Sequence, residues 1–215
     1  MLAVDHAFVC CSKDAPEARA LLELGLVEGS GNLHPGQGTA NRRFFFSNTY
    51  LELLWVSNED EARSPETKDT RLWQRWSQRN DATCPFGILF RTDESPLPFA
   101  TWSYEPRYLP AGTSIEFARG VPITEPELGF LTAGGPRIPL DEPIGHRLPI
   151  RSISGIHVCL PTAAALSKPA ATVHQRGVVT FKAGADYALE FIFASEQPLE
   201  FDLRPILPLM FRSHR

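Results

Sequence analysis

Long hydrophobic runs are missing from this chain of 215 residues. No stretch approaches the roughly 20 consecutive apolar residues that a membrane-crossing helix needs. The first residues, Met1-Leu-Ala-Val-Asp5-His6, carry no basic segment and meet an acid at position 5, so they do not read as a secretory leader. Cysteine is sparse as well. Cys10, Cys11, Cys84 and Cys159 form neither a Cys-x-x-Cys pair nor a zinc-ribbon spacing. They are read instead as four buried thiols in a reducing cytoplasm. Nor is there an excess of positive charge: 21 Lys and Arg against 25 Asp and Glu leave a net −4, which argues against holding nucleic acid by its phosphates. The chain has no Gly-x-Ser-x-Gly nucleophile elbow. Gly36-x-Gly38 lacks the third glycine of a phosphate-binding turn and opens no helix.

What is present describes a globular domain of many short elements, with 43% hydrophobic residues, 19 prolines and 15 glycines. Residues 2–11 (LAVDHAFVCC) read as a buried strand. Ser12 or Asp14 then caps a helix over 15–24 that Gly25 stops. After a polar, glycine-rich loop at 29–39 come strands at 42–47 and 50–57, joined through Asn48-Thr49. Residues 1–57 therefore form a β-α-(β)-β-β unit. Residues 58–82 are a charged connector with one amphipathic helix, anchored in the core by Trp73 and Trp76. In the second half, 83–195, strands are expected at 84–91, 153–160, 178–182 and 187–194, with a short helix beginning in 162–168. A proline- and glycine-rich insertion at 96–145 holds strand-like pieces at 100–104, 114–118 and 128–132. The tail, 196–215, alternates proline with Leu, Ile and Phe. His146, in a loop, is expected at the surface.

The two ends of the chain echo each other. His6-Ala-Phe-Val-Cys10 is matched by His157-Val-Cys159, and Leu51-Glu52-Leu-Leu-Trp55 by Leu189-Glu190-Phe-Ile-Phe193. A carboxylate on so apolar a strand is costly to bury unless it is paired, hydrogen-bonded or metal-bound. If the strands of each unit lie side by side, the echo delivers two histidines and two glutamates to one place. Such a set of nitrogen and oxygen ligands suits Zn, Ni, Fe, Co or Mn. The other reading leaves each His and Glu satisfied by its neighbours.

Val4-Asp5-His6, the loop His34-Pro-Gly36-Gln-Gly38-Thr39-Ala-Asn41 and Tyr50-Leu51-Glu52-Leu53 together resemble the glyoxalase-like members of the vicinal oxygen chelate superfamily. The resemblance covers residues 1–57 well and the remainder in strand order. It implies an α+β fold, a single domain over 1–215 in which paired βαβββ modules form an open half-barrel cup. It further implies a divalent metal in that cup, with ligands from the first and last strands of each module. By position His6 and Glu52 match the first module's ligands, and Glu190 matches the last-strand carboxylate, which dissociates to act as general base. His157 is the remaining candidate. Aligning Ser12 with Pro161 sets Gly155, not His157, opposite His6, an offset of about 6–7 Å along one strand face.

The same resemblance places His34 and Asn41 beside the pocket to orient a substrate. Arg42 and Arg43 alternate along a strand, so one of them faces the cup. Arg43 is the candidate carboxylate binder. The expected function is a cytoplasmic, metal-dependent enzyme of lyase, isomerase or dioxygenase type, acting on a small substrate with two vicinal oxygens. The alternative is a metal-free protein that sequesters a small molecule against Trp55, Phe44 and Phe46. No nucleic acid or membrane partner is expected, and a homodimer is, since related proteins associate through their half-barrels.

Overall fold

Alternation decides which way each strand faces. In the computed structural model, which describes residues 2–81, 83–132, 141–161, 165–195 and 198–213, strand β1 (Ala3–Cys10) sends Ala7 and Val9 into the main core. His6, Phe8 and Cys10 point to the opposite side. Helix α1 (Ala18–Leu24) packs Ala18 and Leu21 against the same core and ends at Gly25, whose φ of 104° closes the last turn through bonds to Leu21 and Leu22. The helix starts three residues later than the sequence suggests. Asp14 and Ala15 have φ of 64° and 43°, left-handed values that interrupt a right-handed helix. The N-cap is Glu17, without a side-chain cap bond, rather than Ser12 or Asp14, and the Glu17 carboxylate accepts from the Ser12 N–H at 2.8 Å.

Strands β2 (Asn32–His34), β3 (Thr39–Phe45) and β4 (Tyr50–Val56) complete a first unit in the order β2-β3-β4-β1. The connector contributes α2 (Glu59–Ala62) and α3 (Leu72–Ser77). Strands β5 (Phe86–Arg91), β6 (Thr101–Tyr104), β7 (Ile115–Ala118) and β8 (Glu127–Leu131) then extend the sheet in the order β5-β8-β7-β6. In each unit the first strand pairs with the last in parallel and the other pairs are antiparallel. The two units join through the antiparallel β1 and β5, making one curled sheet of eight strands. The paired modules of the half-barrel are therefore residues 3–56 and 86–131. The expected second half, 83–195, is thus divided between two sheets, with β5 to β8 in this one and the strands from 153 onward in the other. The strand-like pieces at 100–104, 114–118 and 128–132 are real strands, and the insertion that carries them supplies three of the four strands in that half of the cup.

The last third makes a separate sheet from β9 (Ile153–Leu160), β10 (Thr180–Ala183), β11 (Ala188–Phe193), β12 (Glu200–Asp202) and β13 (Leu209–Ser213), in the order β10-β9-β11-β13-β12. The tail is thus not an appendage, since it supplies two of these strands. Helix α4 (Lys168–Gln175) is capped by Ser167; residues 162–164 of the expected helix start lie outside the described ones. This sheet repeats the pairing at the middle of the first. β9 is parallel to β10 and antiparallel to β11, as β1 is to β4 and β5. The backs of the two sheets share one core, with Val9, Leu53 and Phe90 from the first and Val158, Phe191 and Phe211 from the second.

The turn between β3 and β4 fastens the sheets together. Phe46 N–H closes a four-residue turn onto the Thr49 carbonyl at 2.8 Å. The Asn48 amide exchanges two hydrogen bonds with the backbone of Ile153, at 2.7 and 3.0 Å. Beside it His146, expected at the surface, bridges two segments: its Nδ1 accepts from the Val27 N–H at 3.0 Å and its Nε2 donates to the Phe45 carbonyl at 2.9 Å. Burial depresses its pKa below the ordinary value, outweighing the bond to Phe45. Protonation would also turn Nδ1 into a donor facing another donor. A base with a depressed folded pKa stabilises the fold fully above the unfolded value of about 6.5, and that contribution disappears as pH falls. The expected result is that wild-type protein melts above His146→Phe at pH 8 and that the gap closes by pH 5. A constant gap in calorimetric Tm over that range would contradict the assignment.

Cys10, Cys11 and Cys84 are buried as expected, while Cys159 is half-buried. Burial pushes the Cys10 and Cys84 thiols up to about 12, which makes them inert. Among the described residues no helix is long and apolar enough to cross a membrane.

Candidate functional site

The concave face of the eight-stranded sheet is a cavity of about 200 Å³. Its two halves differ in chemistry, and the division follows the two modules. From the first module come His6, Tyr50, Glu52, His34 and Gln37, with Phe8 and Leu54 beside them. From the second come Leu89, Ile115, Phe117 and Leu131. Leu72 of α3 and Tyr108 and Leu109 of the β6–β7 connection complete the wall. Gly87 makes room for the Phe8 ring, since a Cβ there would stand 2.0 Å from it.

The polar half is held in one orientation by a chain of bonds. Asp5, 1% exposed, binds His6 Nδ1 through Oδ1 at 2.7 Å and the Arg91 guanidinium through Oδ2. Burial alone would raise the Asp5 carboxyl, but His6 and Arg91 outweigh it and hold it below the usual value. An ionised Asp5 accepts only, so the proton of that bond sits on His6 Nδ1 and Nε2 faces the cup. Nε2 lies 3.9 Å from Glu52 Oε2. Burial lowers the His6 pKa, and the carboxylates of Glu52 and Asp5 more than reverse it. Asn41 accepts from the Asn32 N–H at 2.8 Å, so its Nδ2 must be the atom that donates to Glu52 Oε1 at 2.7 Å. Tyr50 stacks on the His6 ring at 4.5 Å.

At the rim, His34 Nδ1 meets Thr39 Oγ1 at 2.8 Å, and burial keeps its pKa below the ordinary value. Tyr108 covers the His34 ring at 4.5 Å and donates to Gln37 Oε1 at 3.1 Å. The second module thereby reaches across the mouth to the first. Arg43 lies beside the cup, stacked on Phe45 and donating to the Ser30 carbonyl at 2.7 Å. Arg42 points to the other side, onto Glu28 and the Ala15 carbonyl.

Of the expected residues, the structure therefore gathers His6, His34, Asn41, Arg43 and Glu52 in or beside the cup. Trp55 is not among them. It shares its face with Leu51 and Leu53 and is buried in the core with Phe44 and Phe46. His157 and Glu190 are elsewhere too, on the face of the second sheet turned away from the core. There Glu190 Oε2 binds His157 Nδ1 at 3.2 Å and Lys182 Nζ at 3.4 Å, with Arg212 at 3.7 Å from Oε1. Burial raises the Glu190 carboxyl, but these cations outweigh it and hold it below the ordinary value. A carboxylate so neutralised is a poor general base. The register gives the reason. Glu190 sits opposite His157 on an antiparallel strand, where the first sheet has Leu89 opposite His6. The place of Glu52, opposite Phe8 on the parallel neighbour, is taken by Lys182 opposite Cys159.

His6, Glu52, His157 and Glu190 do not form a four-ligand set, and among the described residues the donors at the cup do not fit a resident metal. The cup-facing positions at the site on β5 and β8 are Gly87, Leu89, Gly129 and Leu131, none of which ligates. Glu127, further along β8, is held by Arg71 at 2.9 Å and Arg75 at 3.2 Å. Among the described residues no group of three or more His, Cys, Asp or Glu is placed to hold a metal ion. Asp5, Gln37, Arg91 and Tyr108 are the site residues that the sequence reading missed. For Asp5 a signal existed, an acid next to a histidine on a buried strand. For Tyr108 none did.

Residues 4–99 match the family described as a glyoxalase-like domain. A search of curated proteins finds no match. Among solved structures, a hypothetical protein from Staphylococcus aureus aligns over 100% of this chain and 99% of its own, at 11% identity and a TM-score of 0.56. A 4-hydroxymandelate synthase variant from Streptomyces coelicolor aligns over 90% of this chain and 72% of its own, at 15% identity and a TM-score of 0.47. At 11% identity the likeness to the first of these is one of fold alone. The match to a glyoxalase-like domain thus covers 4–99, the stretch that carries the polar half of the cup, within a sheet of two paired modules.

Proposed function

We propose that this protein binds a small molecule in the cup, without a resident divalent metal, and that the ligand has an apolar body and a polar head. One observation carries the reading: the cup pairs a fixed polar wall, His6 and Glu52, with a hydrocarbon wall, Leu89, Ile115, Phe117 and Leu131, of which Leu89 and Leu131 lie on β5 and β8, the strands from which a four-ligand metal site would draw its donors. The volume of about 200 Å³ suits a ligand near the size of one substituted ring, since an engineered apolar cavity of roughly 150 Å³ takes benzene. Buried apolar surface supplies affinity and the few polar groups supply orientation.

An enzymatic reading has one specific observation in its favour. Asp5 fixes the His6 ring with Nε2 directed into the cup, the arrangement a proton-transferring histidine needs. Lyase or isomerase chemistry at that atom needs no second-module ligand. The test of the binding reading is ligand-observed NMR with a panel of monocyclic fragments, in EDTA and then with added Zn²⁺. Saturation transfer is expected in EDTA and is expected to vanish in Leu131→Arg, which places a charge in the apolar wall. Fragments that bind only after metal is added would overturn it.

A further inference from the structure

The first-module wall has two polar atoms with no partner assigned by the network around them. Glu52 gives Oε1 to Asn41 and His6 gives Nδ1 to Asp5, which leaves Glu52 Oε2 and His6 Nε2 facing the cavity. They stand 3.9 Å apart, beyond hydrogen-bond range. That spacing is what two groups adopt when each lies about 2.8 Å from a single atom between them. The charges around the gap are already matched. Asp5 is bound by Arg91, and among the described residues His6 is the cation within ion-pair range of Glu52.

A charged head placed in the gap would add an uncompensated ion beside Leu89 and Phe117, and burying such an ion is expensive. A neutral head that only accepts leaves Glu52 Oε2 without a donor, and one with no polar atom leaves both groups dry. A hydroxyl donates one hydrogen bond and accepts others, so it serves the carboxylate and the imidazole together.

Resting on the reading of the cup as a metal-free binding site, we infer that its ligand is a neutral, ring-sized hydroxyl compound, a phenol or cyclic alcohol, whose oxygen bridges His6 and Glu52. The ring lies against Phe8, Leu89 and Phe117. Selection by head group follows from the gap, and selection by size from the wall.

The test is a titration of EDTA-treated protein, followed by NMR of the methyl groups of Leu89 and Leu131, with four probes of one ring each: 4-methylphenol, toluene, benzylammonium and benzoate. The expected order is 4-methylphenol at least tenfold tighter than toluene, with both ions weaker than toluene. Glu52→Gln, which retains an oxygen for Asn41, is expected to weaken 4-methylphenol about tenfold and to leave toluene unchanged. His6→Phe keeps the ring stacked on Tyr50 and is expected to act in the same direction. Toluene binding as tightly as 4-methylphenol would overturn the hydroxyl bridge and leave the cup reading intact. So would tightest binding by benzylammonium or benzoate, which would assign a charged head. No shift of either leucine with any probe would overturn both.

Discussion

Replacing Arg75 with methionine is expected to destabilise the protein by about 3–5 kcal/mol, the range for breaking a buried ion pair by removing one partner. Arg75 lies on α3 and is fully buried. Its guanidinium donates to the carbonyl of Cys84 and, at 3.0 Å, to that of Glu125, and it pairs with Glu127 at 3.2 Å. One side chain therefore satisfies the acceptors of the segment that leads into β5 and of the start of β8, the two strands that open and close the second module. Methionine fills comparable volume, so the cost measures the lost polar partners rather than a cavity. Glu127 retains Arg71 at 2.9 Å, which keeps the loss within this range. Urea unfolding checks the prediction through a lower midpoint at unchanged m. A loss under about 1 kcal/mol would show that water reaches these groups.

Phe46→Ala is expected to cost a similar amount, about 3–5 kcal/mol, from the apolar area lost and the cavity left at a site that cannot collapse. Phe46 sits at the tip of the β3–β4 turn, outside both strands, yet it is fully buried. Its ring meets Phe193 at 5.2 Å, Phe191 at 6.2 Å and Phe211 at 6.5 Å, all from the second sheet, and His146 at 5.1 Å. The same turn carries the Asn48 bonds to Ile153, so the variant weakens the attachment of one sheet to the other. Chemical denaturation of Phe46→Ala against Phe46→Leu separates the cavity from the loss of the ring. Equal stability of both variants with wild type would contradict this placement of the core.

Local pattern carried the elements, and pairing decided the site. β1, the β3–β4 hairpin and the α1 stop at Gly25 were legible because alternation, a turn and a positive φ are written within a few residues. Even β6, β7 and β8 showed as strand-like pieces among the prolines. Their place in the cup did not, because adjacency in a sheet is a tertiary fact that four or five residues do not encode. The echo of Leu51-Glu52 in Leu189-Glu190 misled for the same reason. The motif fixes which face a carboxylate takes, but not whether the neighbouring strand runs parallel to it. β4 lies parallel to β1, whereas β11 lies antiparallel to β9, so the two glutamates occupy different places in similar sheets. The position of Trp55 is legible in the sequence. An odd separation from Glu52 puts it on the opposite face of the strand.

The measurement that bears most directly on the account is metal content by elemental mass spectrometry. Protein is dialysed against mixed divalent metals and then against plain buffer, for wild type and Glu52→Gln. Two side chains, His6 and Glu52, facing Leu89 and Leu131 predict far less than one metal per chain in both. Close to one metal per chain in the wild type, lost in Glu52→Gln, would contradict the account and return the cup to metal chemistry.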